Sequence, residues 1–124
     1  MANEISLSLN LLASKNNASV SSNGSQLSTM AGTQFISNIQ AIGATTEAVL
    51  LGDVGLGANV GYVFFKNLDA AITITLSTVT PASTTPFAIL LPGDMALVKG
   101  ILANAIYAIS ASGTPDLLVT AIEL

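Results

Sequence analysis

The sequence predicts an all-β protein: an antiparallel β-sandwich of jelly-roll or Greek-key type, with about nine short strands. Three observations lead there. Apolar and polar residues alternate with a period of two through most of the chain, turn residues recur at short intervals, and no segment has a convincing helical period.

The elements follow in order. Ile5, Leu7, Leu9 and Leu11 alternate with Ser6, Ser8 and Asn10, the pattern of a half-buried strand. "SKNNAS" (14–19) is turn chemistry, because Asn tolerates left-handed backbone. "SVSSNGSQLSTM" (19–30) is a very polar strand or hairpin, with Asn23-Gly24 as a hairpin-turn signal. Residues 1–30 are thus a more polar N-terminal hairpin or arm on a single domain spanning 1–124. "TQFISNIQAIG" (33–43) and "TTEAVLLG" (45–52) read as strands, and "DVGLGANVG" (53–61) as a Gly-rich loop. "YVFFKN" (62–67) is a short apolar run, and "AITITLS" (71–77) sets Ile72, Ile74 and Leu76 against Thr73, Thr75 and Ser77. "TVTPASTTP" (78–86) is a loop, since its prolines deny a ladder. "FAILL", "DMALVKG", "AIYAIS" and "LLVTAIEL" complete the strands, with turns at "PGD" (92–94) and "SGTPD" (112–116). "ILANAIYAI" (101–109) is the one run that also fits a helix, but its β-branched residues and the "SGTP" stop favour a strand.

Composition narrows the function. Charged residues are 8% of 124 and hydrophobic residues 51%, whereas about 25% of an ordinary soluble domain is charged. Such a chain either covers itself with Ser, Thr, Asn and Gln or hides its surface against copies and partners, so the deficit favours an assembly component. Lys15, Lys66 and Lys99 are far apart and outnumbered by seven acids, with a net charge of -4. Clustered cations for phosphate are missing, which argues against nucleic-acid binding. Mean hydropathy is +0.70, yet the charge-free stretches are broken by Thr, Pro, Asn and Gly, so no membrane span is expected. "MANEISLSLN" has an acid where a signal peptide carries base, and no export signal is expected; the sequons "NAS" (17–19) and "NGS" (23–25) then read as chance.

The catalytic inventory is short. With no His and no Cys, Ser-His-Asp, Cys-His and zinc sites drop out, and no local motif marks a Ser nucleophile. In "GDVGLGANVG", Gly61 falls one residue late for a dinucleotide loop and a strand follows instead of a helix. Asp53, Asp69, Asp94 and Asp116 each sit at a strand edge or turn, where a carboxylate that bonds nearby backbone explains them better than calcium or paired-acid chemistry. The six aromatics, Phe35, Tyr62, Phe64, Phe65, Phe87 and Tyr107, are scattered through strands and read as core. No catalytic, cofactor-binding or metal-binding residue is assigned, no cofactor is expected, and the chain reads as a non-enzyme.

"KNLD" (66–69) gathers Lys, Asn and Asp where "YVFFK" must end and "ITITL" must begin. A tight corner explains it: Asn67 and Asp69 bond their own backbone, Leu68 plugs the end of the sandwich, and Lys66 supplies a solvated charge that can pair with Asp69.

"GYVFFKNLDAAITITL" is followed by a Thr/Ser/Pro loop, "PFAILLPGDMALVKG" and "AIYAISASGTPDLLVTAIEL". This run, roughly residues 60 to 124, resembles small virion structural proteins of tailed bacteriophages: a strand ending in Asn-Leu-Asp, an alternating strand, a Leu-x-Pro-Gly-acid turn, and a C-terminal strand ending in an acid. The opening "MANEISLSL" shares their style. The resemblance implies a β-sandwich subunit on a virion, first a capsid decoration (cement) protein that bridges major capsid subunits, often as a trimer. A tail, neck or fibre-associated subunit is the alternative in this class. A carbohydrate- or surface-binding adhesion module stays open and would need aromatic and Asn/Asp clusters in loops; an enzyme would need a convergent acid pair in a cleft. Contacts are expected from the N-terminal arm, from loops 53–60 and 78–86, and from strand faces with more apolar residues than a core needs.

Overall fold

The computed structural model describes residues 4–30, 34–52, 54, 60–99 and 105–123. These hold ten strands in three antiparallel sheets, and no helix. The chain divides into two compact units, Met1–Ala31 and Gly32–Leu124.

The first unit is a two-stranded ribbon of β1 (Ile5–Lys15) and β2 (Ala18–Ser28), eleven residues each. Its turn is Asn16-Asn17, with φ of 52° and 66°. A two-residue hairpin whose strands keep their natural twist needs left-handed backbone at both positions, and Asn accepts it at low steric cost. The ladder then runs without slip from Lys15↔Ala18 to Ile5↔Ser28. The expected turn at Asn23-Gly24 is not used: both residues lie inside β2, opposite Asn10 and Leu9. A turn there would leave the alternating segment 5–11 unpaired, whereas the Asn16-Asn17 turn pairs its whole length.

In the second unit, one sheet has the order β3 (Phe35–Ala41), β10 (Asp116–Glu123), β5 (Val60–Asn67), β8 (Met95–Lys99). The other has the order β4 (Glu47–Ala48), β9 (Tyr107–Ser110), β6 (Ile74–Ser77), β7 (Pro86–Leu90). Alternate residues of both sheets enter one core: Val63, Phe65, Leu117, Val119 and Ala121 from the first, and Ile74, Leu76, Leu90 and Ala108 from the second. Full burial of a Val, Leu, Ile or Phe side chain contributes roughly 1.5–3 kcal/mol, so this core dominates the unit's stability. β10 shows the alternation most plainly, with Leu117, Val119 and Ala121 buried and Leu118, Thr120 and Ile122 half-buried.

Several expected boundaries move for local reasons. The alternation of 71–77 becomes a ladder only from Ile74, because the N–H groups of Ala71 and Ile72 donate to Asp69 Oδ1 at 2.7 and 2.8 Å. The strand expected over 45–52 narrows to Glu47–Ala48, although Val49 N still donates to Ile106 O at 2.8 Å. Within 105–109 no helix forms: Ala105 and Ile106 precede β9, which begins at Tyr107; residues 101–104 lie outside the described part. The Gly-rich loop reading at 53–61 also falls mostly outside it. Its last glycine, Gly61, lies in β5 beside the bulge at Ile122/Glu123, and a Cβ there would overlap the Ile122 carbonyl. Between β6 and β7 a second bulge gives Phe87 no ladder partner. Its ring lies 6.3 Å from that of Phe65, tilted by 53°.

Candidate interaction surface

The Asn-Leu-Asp corner is a structural knot. Asn67 is fully buried. Its Nδ2 donates to Ile72 O at 2.7 Å and to Leu90 O at 3.0 Å, and its Oδ1 accepts from Asp69 N at 3.0 Å. Its backbone N–H donates to Asp94 O at 2.9 Å, while its carbonyl accepts from Gly93 N at 3.1 Å. One side chain therefore ties the end of β5 to the approach to β6 and to the end of β7. A buried amide with these partners satisfied holds strand ends that the core alone leaves free to slide. Two expectations are corrected. Leu68 is 42% exposed and plugs nothing, since its backbone is drawn outward to Asp116 O at 2.9 Å. Asp69 turns its carboxylate to the Ala71 and Ile72 N–H groups, and no ion pair with Lys66 forms.

The other acids have similar duties. Leu91-Pro92-Gly93-Asp94 is a type II turn, with Pro second, Gly93 third at φ 81°, and Asp94 N donating to Leu91 O at 2.9 Å. Asp94 Oδ2 closes it by accepting from Leu91 N at 3.0 Å. Glu47 accepts from Gln40 Nε2 at 3.0 Å and from Gly43 N at 3.1 Å, and Gln40 Oε1 accepts from Leu50 N at 2.9 Å. This knot, which the sequence did not single out, clips β3 to the start of the second sheet. Asp53 lies outside the described residues. Among the described residues, no three of His, Cys, Asp and Glu gather where a metal ion could be held, and no helix is long and apolar enough to cross a membrane.

The sheets' outward faces are unusual. An antiparallel sheet with one solvated face normally turns polar residues to water. Here register puts Phe35 and Ile39 of β3 on one face with Ile122 and Leu118 of β10. Phe64 of β5 pairs with Leu97 of β8 on that same side, and Lys66 pairs with Met95. Phe35, Ile39 and Met95 are 73%, 60% and 59% exposed. The reading of all six aromatics as core therefore fails for Phe35 and for Phe87, which is 40% exposed, while Phe65 and Tyr62 are buried. The face's polar groups are the Ser37–Thr120 hydroxyl pair at 3.0 Å, the exposed Asp116 at the start of β10, and the cationic side, where Lys99 Nζ lies 5.7 Å from the Tyr62 ring centroid. On the second sheet Thr75 is flanked by Ile89 and Ile109, and Ile89 is also exposed.

Four strands about 4.8 Å apart and up to eight residues long give the first face a footprint of roughly 500 Å², within which Tyr62 is buried and Phe64, Leu97, Leu118 and Ile122 are half-buried. The face carries the hydroxyl pair in its middle row, between rows led by Phe35 and Ile39, and is cationic on the β5–β8 side at Lys66 and Lys99, with Asp116 at one end. Of the loops expected to make contacts, 53–60 is largely outside the described residues. The 78–86 loop is folded on the unit itself, with Ala82 buried and its N–H donating to Thr46 Oγ1 at 3.1 Å. Comparison with protein-family models, curated proteins and solved structures finds no match.

Proposed function

We propose that this chain is a structural subunit of a virus particle: a capsid decoration (cement) protein that bridges neighbouring major capsid subunits on the outside of a phage head. The observation that carries this reading is the outward face built on Phe35, Ile39, Leu118, Phe64, Leu97 and Met95, an apolar protein-binding surface on a chain with 8% charged residues. The strand orders support it. With β3 to β10 dealt into sheets as β3-β10-β5-β8 and β4-β9-β6-β7, every successive pair but β6–β7 crosses between the sheets, an order compatible with a jelly roll, an architecture common to viral capsid proteins. The resemblance of residues 60 to 124 to small virion proteins of tailed phages points the same way.

In this role the face covers a seam between capsid subunits, and repetition over the shell multiplies a modest contact into lasting attachment. The partners are the major capsid protein and other copies of the chain, with a trimer as the favoured oligomer; nucleic acid and membrane are not partners. Jelly rolls also make lectins, but the exposed aromatics Phe35 and Phe87 lie in strands rather than loops.

Gold-labelled antibody against the chain, applied to intact virions of the source phage, tests the reading. Label over the whole head is expected. Label confined to the tail, neck or fibres would move the subunit there, and its absence from purified particles would overturn the virion assignment.

A further inference from the structure

Three of the four sheet edges in the second unit are blunted. β4 is two residues long, β7 begins with Pro86 and is broken by the bulge that leaves Phe87 unpaired, and β8 ends in Lys99. Short strands, Pro, bulges and Lys are the usual protection against strand addition. β3 has none of them: Phe35–Ala41 is seven residues without a charge, a proline or a bulge. Ile42 N donates to Pro115 O and Glu123 N donates to Gln34 O, so the even-numbered residues of β3 bond β10. Antiparallel pairing alternates, and the N–H and C=O groups of Phe35, Ser37, Ile39 and Ala41 therefore point out of the sheet. Among the described residues no strand lies beyond β3 and nothing bonds these groups.

We infer that the β3 edge pairs antiparallel with the β3 edge of a second copy of this chain, about a twofold axis at Asn38, so that one continuous sheet runs through both copies. Three features select this occupant over another extended segment. In this register Phe35 meets the partner's Ala41 and Ser37 meets the partner's Ile39. Every outward N–H and C=O is then used, and each bulky side chain stands opposite a small one. Self-pairing also doubles any charge on the strand, and β3 carries none. Finally, Asn38 is half-buried, and its Oδ1 is the one buried side-chain polar atom without a hydrogen-bond partner among the described residues. The axis sets the partner's Asn38 directly opposite, on the same face with Cα atoms about 4.5 Å apart, and its Nδ2 is a donor. An arbitrary strand presents a donor at that place only by chance, whereas a second copy does so by symmetry. The pairing goes beyond the capsid reading and does not rest on it; where trimers form, it links copies from two of them.

The test removes one backbone donor from either edge of this sheet. Ile39→Pro deletes an outward N–H that the chain itself does not use, a change that edge strands accept. Met95→Pro does the same at the first residue of β8, whose N–H also points outward because Asn67 and Asp94 are the bonded pair. Light scattering from micromolar to hundreds of micromolar is expected to give the parent and Met95→Pro about twice the mass of Ile39→Pro. Equal masses for the two proline variants would overturn the pairing and leave the virion assignment standing. The axis is read by cross-linking, since the natural chain has no cysteine. Opposed Cα atoms about 4.5 Å apart lie within disulfide reach, so Asn38→Cys is expected to give a covalent dimer on air oxidation. Ala41→Cys, which the pairing holds about 20 Å from its counterpart, is expected to stay single-chain. Equal yields from the two variants, or none from Asn38→Cys, would overturn the inference.

Discussion

The ribbon and the two-sheet unit are written in the same alternating code, and they differ in what the alternation meets. In the unit, the inward residues of β5, β6 and β10 converge on Phe65, Ile74, Leu76, Leu117 and Val119, all fully buried. In the ribbon, Leu9, Leu11 and Leu12 keep more than half of their surface in water. The unit also locks its strand ends with buried polar side chains, Asn67 above all, whereas the ribbon depends on one Asn-Asn turn and its ladder. Period two therefore specifies strands and a face; within the two-sheet unit the cover for that face is the opposing sheet.

The comparison breaks most sharply at Phe65. Phe65→Ala is expected to lower the stability of the two-sheet unit by about 3–5 kcal/mol, the usual range for deleting a buried ring. Leu11→Ala, an equally drastic truncation in the ribbon, is expected to leave that transition within about 0.5 kcal/mol; denaturant melts of both variants measure the contrast. Next comes Asn67→Ala. It strands the Ile72 and Leu90 carbonyls and the Asp69 N–H, for an expected loss of about 2–3 kcal/mol in the same melts. A loss below that of an exposed Asn-to-Ala change would show that the knot does not hold the strand ends.

Smaller effects sharpen the picture. Gly93→Ala forces a Cβ into a left-handed turn at φ 81° and is expected to cost about 1–2 kcal/mol through backbone strain alone, because the space around it is open. Replacing Asn16 and Asn17 together by Ala removes the residues suited to the ribbon's turn. Amide exchange in β1 and β2 is expected to accelerate severalfold, while the thermal transition of residues 32–124 stays in place.

Local chemistry was legible in the sequence where a residue acts on its own neighbourhood. Asn16-Asn17 as turn, Pro92-Gly93-Asp94 as turn, Asp69 as a cap on its own backbone and the inward set of β10 all follow from spacing alone. Asn23-Gly24 misleads because a two-residue motif carries no information about which register the flanking strands can fill. The bond from Asn67 to Leu90, 23 residues away, depends on how two sheets meet, and strand order is absent from any periodicity. The outward apolar face was hidden for the same reason: in "FISNI" both faces hold apolar residues, and only the ladder to β10 shows that Phe35 and Ile39 point outward while Ile36 packs against the core.

Central to all of this is the claim that the exposed apolar faces exist to be covered by protein. The mass of the full chain in solution, by light scattering after size exclusion at micromolar concentration and above, tests it most directly. A mass that is a multiple of the single chain, rising with concentration, is the expected result. A single-chain mass that persists to hundreds of micromolar would contradict it, because Phe35, Ile39, Leu9 and Leu11 would then be tolerated bare in water.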